Sequence, residues 1–408
     1  MGLASKKIGI ILSAAGWLLF SACAFSTAQV EQARGLWVES EGVRQTLSSR
    51  VRIDEMIERA RSCGFNCLFV QVYRHDRAWF NSSIADRSPY LEFVKREKVD
   101  LLEYVIRRAH AADLEVHAWV NVFRIGLDRG APVLKKLGKE AVTRDGKNVS
   151  LLEYAPAQLP DGGYWLDPGD RGVQAYLLQV VSELVERYPG LDGIHLDFIR
   201  YPYSFPYAGS FWANRNDLGY GSASVNRFRE WTGLNPLDME LTRENCQAWD
   251  DWRRYQVNNF VYAVARTVLA LNPKTKVSAA GMAWADRAYQ TSFQDWRRWL
   301  EEGAVDFVAT MNYTLDRRLA GYLTRTALAA QGRRQVYIGL GAYLLVDRPE
   351  VLIGQMEDCV EAGAPGVIIF SYDSIAPETG ILERIKAEPF RRPARLPSMP
   401  WRRLGKER

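Results

Sequence analysis

Eight short apolar runs alternate with longer amphipathic segments along this chain, and this order constrains the fold more than any other feature. The strand-like runs are RGLWVE (34–39), NCLFVQVY (66–73), EVHAWVNVF (115–123), GIHLDFI (193–199), KVSAAGMAW (276–284), VDFVATMNY (305–313), QVYIGLGAY (335–343) and GVIIFSYDS (366–374). Segments with helical periodicity, such as DLLEYVIRRAHAAD and VQAYLLQVVSELVERYPG, separate them. Eight strand–helix units predict a (β/α)8 barrel, an α/β fold, over residues 33–388. The alternative is a doubly wound open sheet, which rarely needs eight such even units.

Two long segments separate a strand from the helix that follows it. They span residues 124–172 after the third strand and 201–246 after the fourth. Strand-to-helix loops lie on the C-terminal rim of such barrels, where active sites are built. The second segment is rich in aromatic residues: Tyr201, Tyr203, Phe205, Tyr207, Phe211, Trp212 and Tyr220. We therefore predict the functional site at this rim, with lid packing without ligand contact as the simpler alternative.

The fourth strand, GIHLDFIRYP (193–202), places charged residues in a segment that otherwise reads as buried. Successive side chains of a strand point to opposite faces, so His195 and Asp197 share one face while Leu196 and Phe198 share the other. A buried carboxylate is costly without a partner. Asp197 is therefore either a structural, ion-paired residue or a functional residue at the mouth of the barrel.

Alternation gathers more polar and aromatic side chains at the same rim. Glu39 ends the first strand, and Asp76, Asp286 and Asp373 lie just past strands two, five and eight. Further candidates on the strand ends and loops are Gln71, Tyr73, Trp119, Asn121, Trp284, Asn312, Tyr313, Tyr343 and Tyr372. Glycoside hydrolysis needs two carboxyl groups, while aromatic faces stack on sugar rings and amides bind hydroxyls. For each aromatic residue, plain barrel packing is the competing interpretation.

Other chemistries have less support in the sequence. With four histidines and no HxH or HExxH pattern, we expect no metal site, and we expect no cofactor. No GxSxG elbow or glycine-rich phosphate loop is present, which argues against ester and phosphoryl chemistry. The net charge of +5 comes without a Lys/Arg block outside the C-terminal end, so nucleic-acid binding is not indicated.

The two ends of the chain differ from the barrel in composition. Lys6 and Lys7 precede the apolar run 8–20 and then SACAFSTA, which predicts an export signal within residues 1–28, too short for a comfortable transmembrane helix. Ser21-Ala22-Cys23 resembles a lipobox with Cys23 as the lipidated residue, while cleavage after Ala24 or Ala28 would release a soluble protein. We expect an exported protein, either a periplasmic or outer-membrane lipoprotein or a secreted one. We expect the basic residues 389–408 to form a flexible tail.

Several segments in order give the chain a resemblance to a known family. RGLWVES, FVQVYRHDRAWFNSSI, VHAWVNVFR and EEGAVDFVATMNY flank the most specific stretch, Trp165–Pro202, which contains YWLDPGD and DGIHLDFIRYP. This pattern resembles glycosyl-hydrolase-like family 10, a group of exported bacterial (β/α)8-barrel proteins, from about Arg34 to Asp373. The resemblance implies glycosidase activity on a polysaccharide, in some members on bacterial cell-wall glycan.

The resemblance also implies roles for individual residues. Asp197 takes the position of the central acid, either as nucleophile or as a stabilising charge, with His195, Arg200 and Tyr201 beside it. Asp76 falls where the family often has a Gly-Asp pair. Phe198 stands where the family often has a second acidic residue, and the fifth-strand segment GMAWAD departs from the family pattern. The general acid therefore remains open among Asp286, Glu39 and Asp76.

Two classes of function compete at this point. The leading prediction is an exported glycoside hydrolase acting on a polysaccharide by paired-carboxylate catalysis, or by transfer of the sugar to another sugar instead of water. The alternative is a non-catalytic glycan-binding barrel at the cell envelope. In either case the expected partner is a glycan, and we expect contact with a membrane only through an N-terminal lipid anchor, if Cys23 is lipidated.

Overall fold

A closed barrel of eight parallel strands forms the centre of the protein, as the alternation predicts. The computed structural model describes residues 29–203, 216–375 and 380–403. The strands are β1 (Ala33–Val38), β2 (Cys67–Arg74), β3 (Glu115–Asn121), β4 (Gly193–Asp197), β5 (Lys276–Met282), β6 (Phe307–Met311), β7 (Gln335–Gly341) and β8 (Gly366–Phe370). Each strand pairs in parallel with the next, and β8 pairs with β1 to close the ring.

Helices cover the outside of the barrel. They are α1 (Arg50–Ser62), α2 (Ser88–Glu97), α3 (Leu101–His110), α4 (Pro132–Leu137), α5 (Arg171–Arg187), α6 (Ser222–Thr232), α7 (Arg243–Leu271), α8 (Ala285–Thr291), α9 (Trp296–Glu301), α10 (Arg317–Leu328), α11 (Pro349–Glu361), α12 (Ile381–Ala387) and α13 (Pro400–Arg403). Side-chain caps begin several of them, such as Asp100 before α3 and Asp170 before α5. Within the described ranges, no helix has the length and apolar character needed to span a membrane.

The residues after β3 form their own small structure above the barrel. Arg124–Gly126 pairs antiparallel with Tyr164–Trp165, and α4 lies between these two short strands. The residues after β4 lead into α6 and the 29-residue helix α7. The leader 1–28 with Cys23, and the aromatic residues Phe205, Tyr207, Phe211 and Trp212, lie outside the described residues.

Large aromatic side chains fill the inside of the barrel. Its buried interior cluster consists of Ala33, Trp37, Cys67, Phe69, Trp119, Phe307, Ala309, Tyr337, Ile368 and Met399. Glycine makes room for these rings: a Cβ on Gly366 would lie 2.4 Å from Tyr337 Cδ1. The barrel is therefore a packed core rather than a pore, and its upper layer supports the residues at the mouth.

The C-terminal residues close the opposite, N-terminal end of the barrel. We expected residues 389–408 to form a flexible tail, but the structure packs this segment against the barrel as far as Arg402. Ala394–Arg395 pairs in parallel with Val30–Glu31, and the Phe390 ring contacts Phe65 at 5.4 Å between centroids. Arg402 forms an ion pair with Asp306 at 2.6 Å, and Trp401 Nε1 donates to the same carboxylate. The prediction of a flexible tail was based on the basic residues of this segment, which do not indicate the apolar contacts that anchor it.

This anchor makes a prediction about stability. Burial alone would raise the Asp306 pKa, but the hydrogen bonds and charge of Arg402, together with Trp401, hold it below its usual value. Arg402→Ala is therefore expected to lower the free energy of unfolding by about 2 kcal/mol at pH 7. The loss should shrink as the pH falls through the depressed Asp306 pKa, because the protonated carboxyl no longer gains from the pair. Urea unfolding at neutral and acidic pH measures both effects.

The matched control is Arg395→Ala, which removes an exposed ion pair with Glu31 in the same segment. That variant should leave the urea midpoint nearly unchanged, because exposed pairs contribute little. Equal midpoints for wild type and Arg402→Ala would show that the segment does not stabilise the barrel.

Candidate active site

Asp197 ends β4 and points into the mouth of the barrel. Its side chain is 9% exposed and accepts hydrogen bonds from Trp119 Nε1 at 3.1 Å and from the backbone N–H of Phe198 at 2.6 Å. Burial raises its pKa, while the Phe198 N–H, Arg200, Trp119 and Arg124 act in the opposite direction. The result is a desolvated carboxylate held by fixed donors, which is the form a nucleophile or a stabilising charge requires.

His195 lies on the same face of β4 as Asp197 but two residues deeper, about 7 Å along the strand. It is fully buried, its Nδ1 lies 2.9 Å from Ser278 Oγ, and its ring contacts Phe69 at 4.8 Å. Burial, with a smaller effect of His117, holds its pKa well below the usual value. The expectation that His195 stands at the mouth therefore differs from the structure, in which it belongs to the packed layer beneath Asp197.

Glu39 lies just past the end of β1 and is half-buried at the same mouth. Its Oε2 accepts a hydrogen bond from Ser371 Oγ at 2.8 Å. Burial raises the Glu39 pKa, and the charge of the nearby Asp373 raises it as well, whereas Ser371 and Arg74 lower it. A carboxyl group whose pKa is raised keeps its proton to higher pH, which suits a general acid.

Two predicted polar residues extend a chain of hydrogen bonds from Ser40, next to Glu39, to β3. Gln71 accepts from Ser40 Oγ at 2.9 Å, and its Nε2 donates to Asn121 Oδ1 at 3.3 Å. Asn121 is the register partner of Asp197. These amides thus form a chain of hydrogen bonds below the mouth, between β1 and β4.

An aromatic wall lines the side of the mouth formed by β6, β7 and β8. Tyr313 stacks on Phe370 with centroids 5.6 Å apart, and Tyr343 meets both rings edge-on at 5.9 and 5.8 Å. Tyr343 is 49% exposed, so part of the wall faces solvent. Burial raises the Tyr313 pKa, and so do the charges of Asp197 and Glu39, since this ring is close to both carboxylates.

Arginines line the wall on the side of β2, β3 and β4. The guanidinium groups of Arg124 and Arg200 lie 5.3 and 5.4 Å from the centre of the Phe198 ring. Arg200 also forms an ion pair with Asp161 at 2.8 Å. Burial, together with the smaller effect of the positive charges of Arg74 and Arg124, lowers the pKa of His75 to about 4. This histidine is therefore neutral at physiological pH.

Two predicted residues after β5 lie at the periphery. The Asp286 side chain is 81% exposed and pairs with Arg297 at 3.0 Å on the outside of α8 and α9. Trp284 is 44% exposed and its ring contacts Tyr322 of α10 at 5.9 Å. Asp286 therefore lies on the outer helices, outside the mouth in which a general acid has to lie.

Other predicted residues are buried away from the mouth. Asp76 accepts hydrogen bonds from Tyr73 at 2.9 Å and Tyr176 at 2.5 Å, and both it and Tyr73 are almost inaccessible. Asn312 donates to Thr324 of α10 at 3.3 Å. The predicted site residues Tyr201 and Tyr372 are also buried. The Tyr201 ring packs edge-on against Phe293.

Two local features explain these differences. The register of β2 shifts between Gln71 and Tyr73, so strict alternation fails there and Tyr73 turns outward. On β6 the interior positions are Phe307 and Ala309, which places Asn312 on the outer face. Polarity had suggested the reverse, but the interior of this barrel is filled with aromatic rings.

Some residues at the mouth were not singled out from the sequence. They are Phe370, Ser371, Arg74 and Arg124, together with Asp161. Phe370 follows the alternation of Gly366 and Ile368 on β8, so the pattern could have identified it. The position of Asp161 depends on how the long segment after β3 folds, and no local signal indicates it.

A closed (β/α)8 barrel with two partly desolvated carboxyl groups and an aromatic wall at its C-terminal end has the architecture of a barrel glycosidase. The chain belongs to the family Glycosyl hydrolase-like 10, whose family model matches residues 32–343, and its enzyme class is glycoside hydrolase. Within the described ranges, no group of three His, Cys, Asp or Glu side chains is placed to hold a metal ion.

Named relatives and solved structures agree with this class. The chain is 25% identical over 323 residues to glycosyl hydrolase DigH of Escherichia coli (strain K12), covering 73% of this chain and 67% of DigH. It is 24% identical over 387 residues to glycosyl hydrolase YngK of Bacillus subtilis (strain 168), covering 85% and 68%. The fold is similar to the catalytic domain of beta-amylase from Paenibacillus polymyxa (TM-score 0.61, 11% identity, 90% of this chain and 100% of that chain). It is also similar to beta-galactosidase from Marinomonas ef1, with a TM-score of 0.58 and 11% identity, over 87% of this chain and 58% of that chain.

The Asp161 contact predicts how the two long loops hold each other. Asp161 Oδ2 accepts from Arg200 Nη1 and from the backbone N–H of Tyr203, at 2.8 and 2.9 Å. Asp161 has a positive φ of 50°, so Asp161→Gly removes the carboxylate without straining the backbone. We expect hydrogen exchange of the Tyr203 amide to become roughly ten-fold faster, since a hydrogen bond to a charged acceptor is lost.

Hydrogen exchange followed by NMR or mass spectrometry measures this change. Asp128→Gly is the control, because the Asp128 side chain accepts from the Gly130 N–H in an exposed part of the same loop. Unchanged exchange at Tyr203 in Asp161→Gly would show that the contact does not hold the loop.

Proposed function

We propose that this protein hydrolyses glycosidic bonds of a polysaccharide, with Asp197 and Glu39 as the carboxyl pair. The observation that carries the proposal is the position of these two groups. They enter the same mouth from strands on opposite sides of the barrel, and both raise the pKa of the Tyr313 hydroxyl that lies near them. Among the four sequence-predicted acids, Asp286 is exposed and ion-paired, and Asp76 is enclosed by two tyrosines.

The surroundings of the two carboxyl groups support different roles. Asp197 receives two fixed hydrogen bonds and faces Arg124 and Arg200, which favour its ionised form. It attacks or stabilises the oxocarbenium-like carbon of the transition state. Glu39, with its raised pKa, donates the proton to the leaving oxygen. Burial gives each group a stronger electrostatic effect than it would have in water.

The rest of the mouth supports binding of a sugar chain. Tyr313, Tyr343 and Phe370 offer aromatic faces for sugar rings, and Gln71 and Asn121 offer amides below them. We propose the glycan of the bacterial cell wall as the substrate. The predicted export signal in residues 1–28, with Cys23 as a lipidation site, supports a location at the cell envelope where this polymer occurs.

A glycan-binding barrel without catalysis is the second candidate. The observation that favours it is the exposed, ion-paired state of Asp286, which leaves the end of β5 without a buried acid. Such a protein would bind the glycan with the same aromatic wall and would tolerate loss of the Asp197 charge.

Substitution of the two carboxyl groups separates these candidates. We expect Asp197→Asn and Glu39→Gln each to lower kcat by about 10²- to 10⁴-fold, since each removes a group that acts in the transition state. Both proteins should still bind the glycan. The measurement is mass spectrometry of saccharides released from purified cell-wall glycan, with and without its stem peptides.

The control for these variants is Asp286→Asn, which should retain full activity because its carboxylate is exposed and outside the mouth. No release by wild type, combined with equal glycan binding by wild type and Asp197→Asn, would contradict catalysis on this substrate.

The Ser371 hydrogen bond predicts a shift of the pH profile. Ser371 Oγ stabilises the ionised form of Glu39, so Ser371→Ala should raise the Glu39 pKa further. The alkaline limb of kcat/KM should then move upward by about one pH unit, because the general acid keeps its proton longer. Trp119→Phe, which removes a donor to Asp197, should instead move the acidic limb upward. An alkaline limb unmoved in Ser371→Ala would exclude Glu39 as the acid.

A further inference from the structure

Two exposed aromatic rings lie nearly parallel to each other on the outside of the barrel. Trp231, near the end of α6, is 69% exposed, and Tyr255 of α7 is 52% exposed. Their centroids lie 6.3 Å apart and their planes differ by 23°. Trp231 is the most exposed tryptophan among the residues that the structure describes. Large rings are rarely left in water on two neighbouring helices unless they contact a partner.

The surface has a rigid base. Phe228 of α6 packs against Trp249 and Trp252 of α7 at 4.8 and 6.0 Å, and the two tryptophans stack on each other at 5.1 Å. These three rings are buried. Because they fix α6 against α7, the positions of Trp231 and Tyr255 are set before any ligand arrives.

Polar groups surround the two rings. A cavity of about 410 Å³ beside them is lined by Arg171, Arg227, Glu230, Gln256 and Asn259 in addition to the aromatic rings. This set combines guanidinium, carboxylate and amide groups, which donate to and accept from hydroxyls. Stacking faces with a few converging polar groups are the usual composition of a sugar-binding surface.

We propose that Trp231 and Tyr255 form a second glycan-binding surface, outside the catalytic mouth, for the same polysaccharide that the mouth cleaves. This proposal rests on the proposed function, which supplies the polymer. The surface carries both charge signs, since Glu230 and Arg171 both line the cavity, so a neutral hydroxyl-rich chain fits it better than a polyanion such as nucleic acid.

The chain itself connects this surface to the mouth over a short distance. Trp165 stacks under the Arg200 guanidinium, at 4.9 Å, in the wall of the mouth. Four residues later, the Gly169 carbonyl accepts a hydrogen bond from Arg227 in the cavity. Four residue steps span at most about 14 Å of backbone, so this segment connects the Arg200 side of the mouth to the outer surface. The outer surface would hold the polymer while the mouth acts on it.

The test uses the full chain with Asp197→Asn, which keeps the glycan intact during binding. Three probes are compared: peptide-free glycan strands from purified cell walls, a tetrasaccharide from the same strands, and a single-stranded oligonucleotide. We expect the double substitution Trp231→Ala and Tyr255→Ala to weaken binding of the strands at least five-fold. Binding of the tetrasaccharide should not change if this short probe binds in the mouth.

Kinetics of the protein with Asp197 intact provide a second readout. The double variant should have a higher KM for the strands with kcat unchanged, and unaltered values for the tetrasaccharide. Tyr322→Ala is the matched control, because Tyr322 is 50% exposed on the distant helix α10. Equal urea midpoints for all variants establish that the changes are not due to unfolding.

The outcomes separate this proposal from the proposed function. Weaker binding of the glycan strands by the double variant supports the second surface even if wild type releases no saccharide. In that case only the proposed catalysis is contradicted. Unchanged binding of the glycan strands by the double variant overturns the second surface even if catalysis is observed. The proposal is also overturned if Tyr322→Ala has the same effect, if the parent binds no strands, or if oligonucleotide binding is what the double variant loses.

Discussion

Dense packing of aromatic rings inside the barrel is the constraint on which the active site depends. Phe69, Phe307 and Tyr337 fill the interior, with Phe307 and Tyr337 stacked at 4.2 Å, and His195 is enclosed in the same layer. This layer leaves no space for water to approach the carboxylates from below. The raised pKa values of Asp197 and Glu39 follow from that exclusion, because burial is the largest effect on both. The packing of the interior and the electrostatics of the two carboxyl groups are therefore coupled through one layer.

Buried charges above the barrel hold the long loops in place. Arg253 of α7 is fully buried and pairs with Asp217 and Asp250 at 2.7 and 2.5 Å, so it attaches the residues after β4 to the helix. Asp167 accepts from Ser224 Oγ and from the Gly169 and Gly221 N–H groups, and burial raises its pKa to about 6. Breaking such a pair costs more than its formation gains, because a charge is left without a partner. These contacts specify one arrangement of the loops around the mouth.

The sequence predicts the barrel well because its signal is local. Each strand is a short apolar run and each helix has its own periodicity, so eight units suffice to identify the closed sheet. Alternation along β1 and β4 also predicts that Asp197 and Glu39 lie on the faces that point into the barrel. Alternation fails at Tyr73 because the register of β2 shifts there. On β6 alternation holds, but Phe307 and Ala309 occupy the inward face, so Asn312 lies on the outer face. The contact of Asp161 with Arg200 joins two long loops, and no periodic pattern encodes such a pairing.

The pairing of Val30–Glu31 with Ala394–Arg395 brings both ends of the folded region to the base of the barrel, opposite the mouth. A tether entering through residue 29 would thus attach at the base. Such an attachment would leave the opening of the barrel at the far end of the folded chain, clear of the point where the tether enters.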